Sequence, residues 1–205
     1  DVRSRSIYHY RGISAMRLYL SPARHAPGSN MGVDGRDERT RMDILAGKVA
    51  ERIRIIAPCI EIKTNKTLTL RGAIKQSNVW GADVHIALHS NALGGGAKGI
   101  EAWIYPGNIR MEMLARLIML SISELTGIPA RKATPSRWGK WTDTKRDGWQ
   151  DGPYLIEVND TKADSILCEC YFHDNREDLQ AFESRIDEAA ELIAAGIAEF
   201  MIGRY

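Results

Sequence analysis

The chain has 205 residues, with 28 Lys and Arg against 26 Asp and Glu, for a net charge of +2. That length suits one domain with a full core, and so small a charge gives no footing for nucleic-acid binding. No apolar run approaches the ~18 residues of a membrane helix, so no membrane span is expected.

Residues 1–15, DVRSRSIYHYRGISA, show no clear periodicity and lack the apolar stretch of a secretion signal. They read as a leader, processing product or added segment, and 16–205 reads as a single domain. Met16–Ser21 (MRLYLS) is a first strand ended by Pro22. Residues 22–37 carry two Pro and three Gly and form a loop, with His25 just after the strand's carboxyl end. Asp37 is a candidate N-cap, and Glu38 falls in the first turn, where a carboxylate is favourable. Met42, Leu45, Val49, Ile53 and Ile56 recur at helical spacing up to Pro58.

Cys59–Lys63 is a short strand and Leu68–Asn78 a helix. In VHIALHSNA, residues 84–92, Val84, Ile86 and Leu88 alternate with His85, Ala87 and His89, the period of a strand. Ser90, Asn91 and Gly94–Gly96 end it in a loop. Gly99–Pro106 is another strand, and 109–126 a helix closed by Gly127 and Pro129. Residues 129–153 are irregular; Trp138, Trp141 and Trp149 lie there among Arg131, Lys132, Arg137, Lys140, Lys145 and Arg146. A stretch of that length is usually functional or disordered. Tyr154–Val158 reads as a short strand and Ser165–Phe172 (SILCECYF) as a longer one. A helical region begins at Arg176, and Ile186, Ala190, Ile193, Ile197 and Phe200 mark a C-terminal helix. This alternation predicts a three-layer α/β/α fold with a mainly parallel, mixed central sheet. Cys59, Cys168 and Cys170 cannot all pair within the chain and show no zinc-finger spacing, which fits synthesis in a reducing compartment.

Chemistry in open α/β sheets collects at the carboxyl ends of the strands. His25, Glu38 and His89 would all converge there, and two imidazoles with one carboxylate form a catalytic zinc set that leaves a position open for water. The gaps of 13 and 51 residues form no local motif. Glu169 stands amid apolar neighbours in ILCECYF, where a carboxylate is costly to bury unpaired. It is either salt-bridged to a buried arginine or a general base beside the metal site. Strand alternation turns Cys168 and Cys170 away from Glu169 into the core. His85, about 13 Å from His89 along the strand, reads as structural.

ALHSNA (87–92), KGIEAWIY (98–105) and TKADSILCECYFHDN (161–175), in a match running from residue 18 through the C-terminal helix, resemble the zinc-dependent N-acetylmuramoyl-L-alanine amidase family of peptidoglycan hydrolases. The resemblance implies one zinc ion on His25, Glu38 and His89, with Glu169 as the catalytic glutamate. It implies cleavage of the amide between the lactyl group of N-acetylmuramic acid and L-alanine. The chain departs from the family pattern in the loop SPARHAPGSN around His25, at Tyr171 and in the long 129–153 stretch. Asn91, Glu101, Trp138, Trp141 and His173 are candidate substrate contacts, although capping the turn with Asp174 and Asn175 is the readier role for His173. Arg71 and Asn78 fit structural roles. Peptidoglycan or its muropeptide fragments are the expected partner, reached at the cell wall after cytoplasmic synthesis. The rivals are a zinc peptidase acting on other small peptides and a catalytically inactive wall-binding module.

Overall fold

The structure is a computed structural model that describes residues 16–64, 68–105, 108–130 and 155–203. Five strands form one sheet in the order β2-β1-β3-β5-β4. They are β1 (Met16–Pro22), β2 (Ile60–Thr64), β3 (Val84–Asn91), β4 (Glu101–Ile104) and β5 (Asp164–Phe172). β2, β1, β3 and β5 run parallel, and β4 is antiparallel on the outer edge of β5. The mixed, mainly parallel sheet is thus the one the sequence predicts.

The helices are α1 (Glu38–Ile56), α2 (Leu70–Trp80), α3 (Ile109–Thr126), α4 (Ile156–Asn159), α5 (Arg176–Glu183) and α6 (Ile186–Met201). Strand alternation sorts the side chains between two faces. Leu18, Leu20, Ile86, Leu88, Ile166, Cys168 and Cys170 face the main core, where Met42, Leu45 and Val49 of α1, Leu114 and Ile118 of α3 and Ile193 and Ile197 of α6 cover them. The opposite face carries Tyr19, Ser21, His85, Ala87, His89, Leu167 and Glu169. There Ala87 and Leu167 pack on Val158 of α4, while the Tyr19 hydroxyl bonds Gln76 of α2 at 2.8 Å. One face is therefore apolar core, and the other carries His85, His89 and Glu169.

Several boundaries differ from expectation for local reasons. Pro22 belongs to β1 rather than ending it: a proline offers no N–H, but it still fits extended backbone beside Leu88. β3 continues through Ser90 and Asn91 because its bulge keeps pairing to β5, with Asn91 opposite Phe172. α2 ends two residues later than its apolar spacing suggests, at Trp80, and is capped by Gly81, whose φ of 70° is the left-handed geometry of a helix C-cap. The short strand expected at Tyr154–Val158 is corrected: Ile156–Asn159 is a single helical turn, and Tyr154 lies outside the described residues. No helix among the described residues is long and apolar enough to cross a membrane.

Candidate metal centre

Three parallel strands deliver their carboxyl ends to one edge. β1 ends at Pro22 and the backbone N–H of Ala23 bonds the Leu88 carbonyl at 2.9 Å, so the His25 loop leaves beside the end of β3. Asp37, in extended backbone, caps α1 by accepting from the Thr40 N–H at 2.8 Å, and its other oxygen accepts from the Gly28 N–H at 2.8 Å. One side chain thus starts the helix that carries Glu38 and ties down the loop that carries His25. In the parallel register His89 stands opposite Glu169, and Glu101 of β4 pairs with Glu169 from the other side.

The expected set comes together. One donor atom from each of His25, Glu38 and His89 lies within 4.8 Å of the others. Glu38 is the hub: its Oε2 is 2.9 Å from His25 Nε2, and its Oε1 is 2.9 Å from His89 Nδ1. The carboxylate is buried and held in place by the Asn30 side-chain amide and by the Ser90 N–H, which donates to Oε1 at 3.1 Å. His25 is the solvent-facing member, its side chain 45% exposed.

Charge follows from this geometry. Burial raises the Glu38 pKa, but hydrogen bonds from His25 and His89 prevail and hold it well below the usual carboxylate range. Burial works against a charged His89, yet hydrogen bonds to Glu157 and Glu38 raise it well above the ordinary histidine value. The bond to Glu38 raises His25 against a smaller opposing effect of burial. The donor set fits a cation. His89 stands between two buried carboxylates, Glu38 at Nδ1 and Glu157 at Nε2, an arrangement that needs a second proton on His89 or a positive ion between Nδ1 and Glu38. Two nitrogens and a carboxylate oxygen are also the donor types that zinc takes.

Glu169 sits next to this cluster with its Oε2 buried and lacking a hydrogen-bond partner among the described residues. Burial pushes its carboxyl up to about 8, opposed by His89 and reinforced by Glu38 and Glu101. The alternative role as partner of a buried arginine is not what forms. Arg41, a fully buried arginine, pairs instead with Asp34 and Glu183, and no ion pair reaches Glu169 among the described residues.

The substrate candidates divide. Asn91 donates to Glu101 Oε2 at 3.0 Å, which places this pair beside Glu169. His173, the other described candidate, is fully buried: its Nδ1 lies 2.9 Å from Ser90 Oγ, and its carbonyl accepts from the Val33 N–H. Burial lowers its pKa. In the turn after β5 the cap is Asn175, whose side chain accepts from the Glu177 and Asp178 N–H groups. Cys168 and Cys170 belong to the main core, away from Glu169. Trp138, Trp141 and the cations from Arg131 to Arg146 lie outside the described residues.

One residue of the site escaped the sequence reading. Glu157, on α4, is 3% exposed; its Oε2 lies 3.3 Å from His89 Nε2 and its Oε1 3.2 Å from His85 Nε2. Ser21 Oγ also donates to Oε1, and Ser77 Oγ lies 3.0 Å from His85 Nδ1. Burial raises the Glu157 pKa, but the two imidazoles bring it down to about 2. His85 is therefore joined to the site through one carboxylate. The signal that could have found Glu157 is the one that exposed Glu169: an acid inside an apolar pentapeptide, here YLIEV.

A mixed sheet flanked by helices, with a His–Glu–His donor set at its carboxyl edge and a glutamate alongside, describes a class of α/β proteins whose donor set could hold one metal ion. The family within that class follows from the sequence: residues 24–199 match the N-acetylmuramoyl-L-alanine amidase model, and the chain belongs to this family of peptidoglycan amide hydrolases. Solved structures share the fold. An N-acetylmuramoyl-L-alanine amidase from Clostridium difficile 630 superposes with a TM-score of 0.73 at 20% identity, over 93% of this chain and 99% of that one. The catalytic domain of CwlV, an N-acetylmuramoyl-L-alanine amidase from Bacillus (Paenibacillus) polymyxa var. colistinus, gives 0.71 at 20% identity, over 91% and 98%. The catalytic domain of the CD27L endolysin targeting Clostridia difficile gives 0.66 at 21% identity, over 89% and 96%. No curated protein matches the chain.

Proposed function

We propose that the chain is a zinc-dependent amidase that cleaves the bond between the lactyl carbonyl of N-acetylmuramic acid and the stem peptide's L-alanine. The observation that carries this reading is the convergence of His25, Glu38 and His89 on one point beside Glu169. His25, Glu38 and His89 would hold the ion. A bound zinc ion supplies acidified water and a polarised substrate carbonyl. Glu169, next to His89 in register and with one oxygen free of partners among the described residues, takes the proton from the attacking water. The proton then passes from Glu169 to the departing amine nitrogen, so the glutamate serves in turn as base and acid. Burial of Glu169 keeps its proton affinity high enough for the second task. Asn91 and Glu101, tied to each other beside the base, are the proposed substrate contacts from the described residues.

The basic, Trp-bearing stretch 129–153 is proposed to add binding to the wall: its cations suit stem-peptide carboxylates and its indoles suit sugar faces. The enzyme would act at the cell wall on peptidoglycan or muropeptides. Metal analysis tests the core of the reading. Purified protein should hold about one zinc per chain, a chelator should abolish hydrolysis, and His89→Ala should lose the metal. Full activity in metal-stripped protein would sink the mechanism.

A further inference from the structure

The metal reading leaves a buried cluster unused. Ser21 on β1, Ser77 on α2, His85 on β3 and Glu157 on α4 meet behind His89, on the side away from Glu38. Ser21 and Ser77 are at most 2% exposed, His85 is fully buried and Glu157 is 3% exposed. A buried carboxylate and a buried imidazole are costly to retain unless they are fully bonded.

When a cation takes the place of a proton between His89 Nδ1 and Glu38, the hydrogen-bond directions around Glu157 admit one consistent arrangement, with a single ring proton on His89. A carboxylate only accepts, so each neighbour of Glu157 must donate. His85 then gives its Nε2–H to Oε1, which leaves its Nδ1 to accept the Ser77 hydroxyl. Ser21 gives its hydroxyl proton to the same Oε1. His89 gives its Nε2–H to Oε2, and its Nδ1 is left as a lone pair pointing at the Glu38 side. We propose that Glu157 is a positioning residue that fixes the ring orientation and tautomer of His89, with Ser21, His85 and Ser77 fixing Glu157 in turn. This inference rests on the proposed metal site and extends it by a layer that spans four elements of the fold. A carboxylate behind a ligating histidine both orients the ring and strengthens it as a donor.

The arrangement makes a sharp demand on the Glu157→Gln variant. Two donors already point at the Oε1 position, so the amide oxygen must sit there. The amide NH2 is then left facing His89 Nε2, a donor against a donor. Relief requires His89 to move its proton to Nδ1, the nitrogen that should face the metal.

The test is the zinc affinity of the whole chain, measured by competition with a chromogenic chelator, together with the visible spectrum of cobalt-substituted protein. Glu157→Gln should weaken zinc roughly 10–100-fold, the range seen when such outer partners are removed, and should shift the cobalt bands, which a role in folding alone would not do. Glu157→Asp, which restores an acceptor on a shorter arm, should recover part of the affinity. Unchanged affinity and spectrum in folded Glu157→Gln would overturn the inference and leave the metal site standing. If the wild-type chain binds no zinc, the metal reading falls and this inference falls with it. If Glu157→Gln does not fold, Ser21→Ala, which only loosens the carboxylate, decides: several-fold weaker zinc binding supports the role, and wild-type affinity overturns it.

Discussion

Glu169 is the side chain on which chemistry and stability pull in different directions. Among the described residues its Oε2 has no hydrogen-bond partner, and burial raises its carboxyl to about 8, two features that suit the proposed general base. Glu169→Gln is nearly isosteric but cannot accept the proton. Zinc content should stay near wild type while turnover falls roughly 100-fold or more, the scale of a lost general base; loss of zinc in this variant would make Glu169 a ligand instead. The same substitution has a pH signature in the metal-free protein. An unfolded chain releases the Glu169 proton near 4.5, whereas the folded chain holds it to about 8. Between those values the folded state binds the extra proton, so this group's contribution to stability falls as pH rises. Glu169→Gln should therefore raise the thermal midpoint of metal-free protein at pH 9 and leave it near wild type at pH 4. An equal change at both values would contradict a burial cost at this position. Glu169 was legible because an acid in ILCECYF has no apolar excuse, and Glu38 because it follows a capping aspartate. Glu157 was not, since its partners His85, His89 and Ser21 lie 72, 68 and 136 residues away and only the topology joins them.

The start of α1 shows how one helix end builds two-thirds of the donor set. Asp37 caps the helix through Thr40 and anchors the loop through Gly28, so Glu38 and His25 share a support. Asp37→Ala should cost about 1 kcal/mol of stability in urea unfolding, the usual loss for an N-cap, and should also weaken zinc in a chelator competition. Loss of stability with unaltered zinc affinity would mean that the loop holds His25 without the cap. Helix and strand identities were readable wherever periodicity ran long, as in α1, α3, β3, β5 and α6. The misreading of residues 154–158 has a physical cause: apolar alternation over five residues suits a strand or one turn of helix equally well. The turn wins here because Val158 packs onto Ala87 and Leu167 while Glu157 turns inward to the histidines. The bulge that carries β3 past His89 was hidden for a similar reason, since Ser-Asn before a Gly-rich run reads locally as a loop.

Among the described residues the sheet divides its two faces: the one against α1, α3 and α6 supplies the core, and the one toward α2 and α4 carries His85, His89 and Glu169. The order of strands and helices announced that architecture, and the antiparallel β4 adds an edge that sets Glu101 beside Glu169. The stretch 129–153, with its six cations and three Trp, is the feature that would separate wall binding from catalysis. Neutralising Arg137, Lys140 and Lys145 together should weaken binding to intact walls and make it less salt-sensitive, with little change in turnover of bound substrate; unaltered binding and salt dependence in a folded variant would dismiss the stretch as a wall contact. The account as a whole turns on which bond breaks, and with what metal. Purified muropeptides incubated with metal-stripped protein, before and after one equivalent of zinc, can be resolved by mass spectrometry. The account predicts no products without zinc. With zinc it predicts two: an intact glycan ending in a free lactyl carboxylate, and a stem peptide with a new L-alanine amino terminus. Cleavage between amino acids of the stem, or the same products from the metal-stripped protein, would contradict it.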